Sequence, residues 1–320
     1  MTGLYKVLGV PFGFVLRLIY ESIGFHSYAV SIILLTLLAR VFMLPSGISQ
    51  QKGMAKTQRM QAKMRRIQAK YAGDQKKIQE ETQALYQREG YNPMNAGCAP
   101  MLIQFLLLFG LIGAIYYPLS NFLPNISDSE VSLLTEAVKN LNISSFSSKS
   151  TIINELLVIQ HIDKLQGIEG VSQATYNAIS GIDFSFFGLF NLGDVPMDFK
   201  GSWHPIWLIP ILSTLSTLGS TLYSQIKQKA SNAAGAAGKS MGCMMIFMAA
   251  FSLYFVVNYP AGIGIYWIAS SLFGLISTVV IGKIYSPKKM VARLMVEETI
   301  QRRSRENSLK LVAQRNSSQK

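Results

Sequence analysis

The sequence predicts an all-α integral membrane protein that crosses the bilayer five times. Three observations carry this prediction. The 320 residues are 49 % hydrophobic and only 15 % charged, whereas a soluble domain carries about 25 % charge; the mean hydropathy is +0.27. Five apolar runs lie near 26–45, 99–117, 205–223, 241–257 and 261–282, each suited to about 30 Å of hydrocarbon at about 1.5 Å per residue. The segments between the runs alternate in charge. Residues 46–98 hold ten Lys/Arg and four Asp/Glu, the 224–240 loop three and none, and the tail from Lys283 ten and three, while 118–204 holds four and nine. Basic segments stay on the cytoplasmic side, so the N-terminus is expected outside and the C-terminus in the cytoplasm. This placement accounts for much of the net charge of +13 without DNA as a partner.

Residues 1–25 do not form a sixth span. The apolar stretch between Lys6 and Arg17 is ten residues long and contains Pro11. On a helical wheel Lys6, Gly13, Arg17 and Glu21 share one face, with Leu4, Val7, Leu8, Val15 and Ile19 opposite. That pattern suits an amphipathic helix lying in the outer interface. A signal-peptide core is the alternative, but no small-residue cleavage site follows.

The first span contains "SIILLTLLARVFMLP" and sets the main problem of the sequence, Arg40. An arginine at the centre of a membrane helix costs about 2.5–3.5 kcal/mol on insertion scales. Arg40 precedes Pro45 by five residues, roughly 7–8 Å of helix rise, so an extended side chain can nearly reach the cytoplasmic surface by snorkelling. The other reading is a polar recess. Thr36 lies one turn back on the same face, and Gln104 enters the second span from the same side. Polar groups at membrane depth are expected where they line water.

The cytoplasmic segment 46–98 reads as a helical hairpin. "QQKGMAKTQRMQAKMRRIQAKY" places Met54, Met60, Met64 and Ile67 near helical spacing; a turn at "AGD" follows, then "QKKIQEETQALYQREG", stopped by Gly90 and Pro93. Both apolar stripes are thin, so the pair is expected to be mobile, either as a working part or as a solvated spacer. The 118–204 segment is polar and rich in Ser and Asn, with helical pieces such as "TIINELLVIQHIDKLQ". It is too long for a simple connector and holds no chemical motif. The third span carries Ser213, Ser216, Thr217, Ser220 and Thr221, and the fifth carries Ser270, Gly274 and Ser277. Such stripes are ordinarily helix-packing surfaces. The fourth and fifth spans are joined by "NYP" alone, a tight helical hairpin.

Nothing suggests an enzyme, a cofactor or a metal. His26, His161 and His204 lie at the outer interface or in the outer loop, and none has a Cys or carboxylate at ligand spacing. Cys98 and Cys243 are too few for a disulfide framework. "GAAG" near residue 235 follows no strand. Apart from His26 at the outer boundary of the first, the spans contain no histidine, lysine or carboxylate, so they offer no base for a nucleophile and no relay for a coupled pump. An uncoupled channel or transporter and a ribosome-tethering protein remain as alternatives. The channel needs a continuous polar path, while the polar residues cluster toward the inner face.

Four stretches carry a family resemblance. "SIILLTLLARVFMLP" with "QQKGMAKTQRMQAKMRRIQAKY", "GYNPMNAGCAPMLIQF" and "YPAGIGIYWIASSLFGLIS" closely resemble the bacterial YidC membrane-protein insertases and their mitochondrial and chloroplast relatives. Order and spacing match over roughly residues 20–285. The resemblance implies a five-helix core around a hydrophilic groove, open to the cytoplasm and the lipid and closed outside, in a bacterial cell membrane. It puts Arg40 in the groove and Thr36 and Tyr266 at positions of substrate contact; Gln104 matches the polar residue after "PMLI". Trp267 adjoins Tyr266, and the sequence leaves open which of the two faces the groove. The implied partners are nascent membrane proteins and membrane lipids, with the Sec translocon, and the ribosome through the basic 283–320 tail, as further candidates. Against the family pattern, no lipoprotein-type cysteine precedes the first core span, and the outer segment is longer than expected.

Overall fold

The computed structural model describes residues 2–89, 106, 108–123, 125–141, 154–230, 237–285 and 287–318. Among them the protein is helical, with two isolated β-bridges and no strand. In chain order the helices are α1 (Thr2–Ser22), α2 (Tyr28–Phe42), α3 (Leu44–Lys70), α4 (Gln75–Arg88), α5 (108–116), α6 (Pro118–Asn121), α7 (Asp128–Asn140), α8 (Asn154–Gln160), α9 (Gln173–Ser180), α10 (Leu208–Ala230), α11 (Ala237–Asn258), α12 (Ala261–Ile284) and α13 (Pro287–Ser318). Two stretches are long and apolar enough to cross a membrane, Pro205–Ser224 and Ala261–Ile284; Tyr28–Phe42 and Ala249–Asn258 are shorter apolar helices. Much of the expected second span, including Gln104, and Cys98 before it lie outside the described residues. The first apolar run is shorter as a helix than as a sequence. It closes at Met43, whose N–H bonds Ala39 O at 3.0 Å, and Pro45, lacking an N–H, sits in the first turn of α3.

The chain divides into two compact units. The first, Met1–Leu44, Pro100–Gln225 and Ala236–Ile276, has one apolar core running through Leu16, Tyr28, Ile32, Leu111, Leu119, Leu134, Leu156, Ile206 and Ile263. α1 joins this core by a face the helical wheel does not reveal. Gly13, grouped above with polar residues, is buried against Asn121, Gly9 meets Gly113, and Phe12 lies on Gly110. Glycine here permits close approach of two backbones. Val7, Val10, Phe14 and Leu18 are exposed. The helix therefore has two apolar sides, one packed and one open, with Arg17 and Glu21 paired at 2.6 Å.

The described part of 118–204 is an integral part of that core. α7 opens with a capping box of Ser127 and Glu130 and buries Val131, Leu134 and Val138 at the i, i+3, i+7 spacing of an amphipathic helix. α8 is too short to show a period and is buried over Glu155, Leu156, Leu157, Val158 and Ile159. Backbone bonds tie the segment to helix starts: Tyr28 N donates to Asp183 O at 3.1 Å, Ala261 N to Asp194 O at 2.8 Å and Gly262 N to Leu192 O at 2.9 Å. These occupy N–H groups that a helix leaves unsatisfied at its N-terminus.

The second unit comprises Pro45–Ala99, Ile226–Gly235 and Ser277–Lys320. α3 and α4 form an antiparallel pair. Gly73, at φ +97°, makes the turn, and Asp74 caps α4 by accepting from Lys77 N at 3.1 Å. Tyr86 Oη bonds Met64 Sδ at 3.2 Å, and Lys63 pairs with Glu89 at 2.5 Å. α4 buries none of its residues, so the seam between the two helices is thin. In α13 every side chain described is exposed, Arg302, Arg303 and Arg305 included.

Candidate functional site

The site is built on one face each of α2 and α12. On α12, Tyr266, Ser270 and Gly274 follow one another at intervals of four and so line up along the helix. The Arg40 guanidinium reaches this line from α2 and donates to Ser270 Oγ. Ser270 is buried and lies within hydrogen-bonding range of the buried Tyr266 phenol. One turn further on, a methyl group added at Gly274 would lie 3.6 Å from the Arg40 guanidinium carbon. Glycine at this position leaves a flat backbone surface beneath the planar cation. No ion pair among the described residues includes Arg40, and the side chain is half-buried. An arginine held by a hydroxyl, with no carboxylate partner among the described residues, carries a charge that costs energy in an apolar setting and suits the attraction of a visiting anion or polar chain.

The remaining expected residues separate. Thr36 shares Arg40's face but is buried, and its hydroxyl donates to Ile32 O at 2.7 Å, a bond within its own helix. Trp267 packs toward α11, with its ring 5.6 Å from that of Phe255, so of the adjacent aromatics Tyr266 is the one beside Arg40 and Ser270. The α10 hydroxyls also turn inward on their own backbone: Thr214 donates to Pro210 O, Ser216 to Ser213 O, and Thr221 to Thr217 O. Ser213 meets Ser252 of α11 at 3.4 Å, and Thr217 meets Ser271 of α12 at 3.5 Å, the helix-packing role expected of such stripes. Ser270, which its stripe marks as a helix-packing residue, instead accepts from Arg40. The signal was present in the four-residue spacing of Tyr266, Ser270 and Gly274. Among the described residues no cluster of three His, Cys, Asp or Glu could hold a metal ion.

Comparison with known proteins places most of the chain in one family. The family described as 60Kd inner membrane protein matches residues 18–289. A membrane protein insertase YidC of Clostridium perfringens is 28 % identical over 281 residues, covering 87 % of this chain and 87 % of the relative. That of Caldanaerobacter subterraneus is 26 % identical over 264 residues, covering 82 % and 88 %. The YidC of Syntrophus aciditrophicus is 37 % identical over 112 residues, covering 35 % of this chain and only 20 % of that longer relative.

Proposed function

Since the chain belongs to the 60Kd inner membrane protein family, we propose that it is a membrane protein insertase whose working group is the half-buried Arg40, seated on the Ser270–Tyr266 face and offered to nascent membrane proteins. The energetics define the task. Each Leu, Ile, Phe or Val of a client helix favours the membrane by about 0.3–0.6 kcal/mol, while one Asp opposes it by about 2.5–3.5 kcal/mol. A single acidic residue in the segment to be moved outward therefore offsets roughly five to ten apolar ones. The helix partitions readily once its polar flank is carried; the flank is the barrier. A cation set against small and hydroxyl residues lowers that barrier by giving the flank partners in place of water. The adjoining apolar stretch then moves sideways into lipid, driven by burial of its surface at about 25 cal/mol per Å².

In this reading five helices cross the membrane: α2, the helix of which α5 is part, α10, α11 and α12. The outer segment lies outside, and α3, α4 and α13 lie in the cytoplasm. Gln104 is proposed to extend the receiving surface, with Thr36 supporting it from within α2 and Trp267 at its edge. The observation that carries the proposal is Arg40 itself, a cation in an apolar helix held by a hydroxyl across 230 positions of sequence. The test is photo-crosslinking from positions 36, 40, 104 and 266 to a ribosome-stalled membrane protein. Adducts at 40 and 266 that are absent from Leu215, on the exposed side of α10, are expected. Equal labelling from all five positions would refute a localised receiving surface.

α13 suggests a contact for the ribosome. Its exposed Arg293, Arg302, Arg303, Arg305 and Lys310 suit an RNA surface, to which affinity falls steeply with salt. Co-sedimentation of ribosomes should weaken on deletion of 288–320 and on raising salt, while insertion of short clients that arrive after synthesis persists. Equal loss for both client types would instead make α13 a support of the fold. The Sec translocon and membrane lipids complete the proposed partners.

A further inference from the structure

Residues 184–190 read FSFFGLF, and no formal charge occurs between Asp183 and Asp194. The stretch folds back as a short hairpin. Ser185 and Asn191 form an antiparallel bridge, Phe186 N donates to Phe190 O at 2.9 Å, and Leu189 N donates to Phe186 O at 3.0 Å. The two central turn residues have positive φ, +50° at Phe187 and +73° at Gly188. That is the handedness of a type I′ turn, which selects Asn or Asp before Gly. A phenylalanine there is sterically disfavoured. It is also 71 % exposed, and Leu189 is 51 % exposed. The neighbouring loop repeats the pattern: Phe25 has φ +53° and is 87 % exposed, and it is tied to the hairpin by the Ser27–Asp183 bridge. Among the described residues Phe187 keeps one ring contact, edge-on to Phe186 at 4.9 Å, while most of its surface and that of Leu189 and Phe25 stays open, an exposure that suits a covering apolar surface.

The position of the hairpin identifies that surface. One leg is bonded to the start of α2 through Asp183 and anchored by Phe184, whose ring stacks on Tyr28 at 4.3 Å. The other is bonded to the start of α12 through Leu192. Both helices are apolar; if they cross the bilayer with these ends outward, the hairpin lies at its outer surface. Aromatic side chains concentrate at that depth. We propose that Phe187 and Leu189, with Phe25, insert into the headgroup–acyl boundary of the outer leaflet and fix the outer segment against the membrane. The inference rests on the spanning arrangement given above.

The test uses the full chain with Cys98→Ser and Cys243→Ser, reconstituted in phosphatidylcholine–phosphatidylglycerol vesicles. A nitroxide is attached at Phe187→Cys, with Leu215→Cys as the lipid reference and Glu169→Cys as the aqueous one. Collision with oxygen several-fold greater than with a water-soluble nickel chelate at position 187, as at 215, is expected. Nickel access equal to that at 169, with 215 still in lipid, would overturn the proposal alone. Shielding from both reagents would show a protein contact and overturn it equally. Water access at 215 would overturn the spanning arrangement and the proposal with it. A second variant, Phe187→Asn, suits the turn better. It should leave the thermal midpoint in detergent unchanged or higher while a nitroxide at Leu189→Cys moves into water; a lower midpoint would show that the ring packs on the protein and would refute the idea.

Discussion

The Glu155 carboxylate binds the chain at Ser120 three ways at once. Oε2 accepts from Leu119 N at 2.8 Å and from Ser120 N at 3.0 Å, and Oε1 accepts from Ser120 Oγ at 2.6 Å. Glu155 is buried, and α6, whose first turn it caps, follows α5 after one residue. A negative charge at a helix start satisfies free N–H groups and complements their partial charge. α8 is thereby fastened to the chain that follows α5.

Replacing that carboxylate with a neutral amide should loosen this attachment. Glu155→Gln presents an NH₂ where one of the donors now points and loses charge assistance, for a cost of about 2 kcal/mol. The expected result is a lower thermal midpoint in detergent and faster proteolysis within 118–204. An unchanged midpoint would show that the attachment is redundant.

Glu130 ties α7 to the start of α9. Oε2 accepts from Ser127 N at 3.1 Å, and Oε1 from Ser172 N at 3.0 Å and Thr175 Oγ1 at 2.8 Å. The Ser172 and Ser127 backbone bonds, followed by the Thr175 hydroxyl, lower its pKa from the ordinary 4.5 to about 2. Because the folded value lies below the unfolded one, the charged form supports the fold. That support is complete above pH 4.5 and is lost as pH falls toward 2. Amide exchange at 172–176 should therefore accelerate over this interval, and Glu130→Gln should remove most of the acceleration. The same acid response in the variant would assign it to other carboxylates.

The α1 contact depends on the absence of a side chain. A methyl group at Gly13 would approach the carbonyl carbon of Asn121 to 2.6 Å and its Cβ to 2.9 Å, so the helices must separate. Overpacking of this kind costs about 1–3 kcal/mol. Gly13→Ala should lower the thermal midpoint in detergent, whereas Val10→Ala, on the exposed side, should not. Equal tolerance of both would mean that α1 is only loosely held.

Arg40, α3, α4 and the helical character of the apolar runs were legible because each depends on local spacing or on a conflict between charge and surroundings. The packed face of α1 was not. Gly13 contributes nothing to a hydrophobic wheel, and its role depends on Asn121, more than a hundred residues away. The core of 118–204 was hidden for a similar reason: Val131, Leu134 and Val138 form an ordinary amphipathic stripe, while their partners on α8 are buried all round and show no period. Tyr266 and Trp267 were indistinguishable until Phe255 took the tryptophan ring. Spacing puts Thr36 on Arg40's face, but a helix period says nothing of where a hydroxyl donates, and this one donates to Ile32 O.

The Arg40 site makes the sharpest prediction, because two different substitutions should produce one phenotype. Arg40→Ala removes the charge. Gly274→Leu keeps it but fills the space beneath the guanidinium, where even a methyl group would lie 3.6 Å from its carbon. Both should integrate normally and insert clients with acidic outer segments poorly. Gly274→Ala makes only an ordinary contact and should remain active. Arg40→Lys reads out how the charge is used, since an ammonium attracts an acidic chain but lacks the guanidinium fork. Retained activity is expected if charge alone matters. Snorkelling predicts otherwise: an arginine that merely escapes to water can be removed without loss, and integration becomes easier by about 2.5–3.5 kcal/mol. The measurement is protease protection of a client with an acidic outer tail, in vesicles carrying each variant at matched level. Full insertion by Arg40→Ala across several clients would show that the charge has no part in insertion. Full insertion by Gly274→Leu alone would show that the charge acts without its seat on α12.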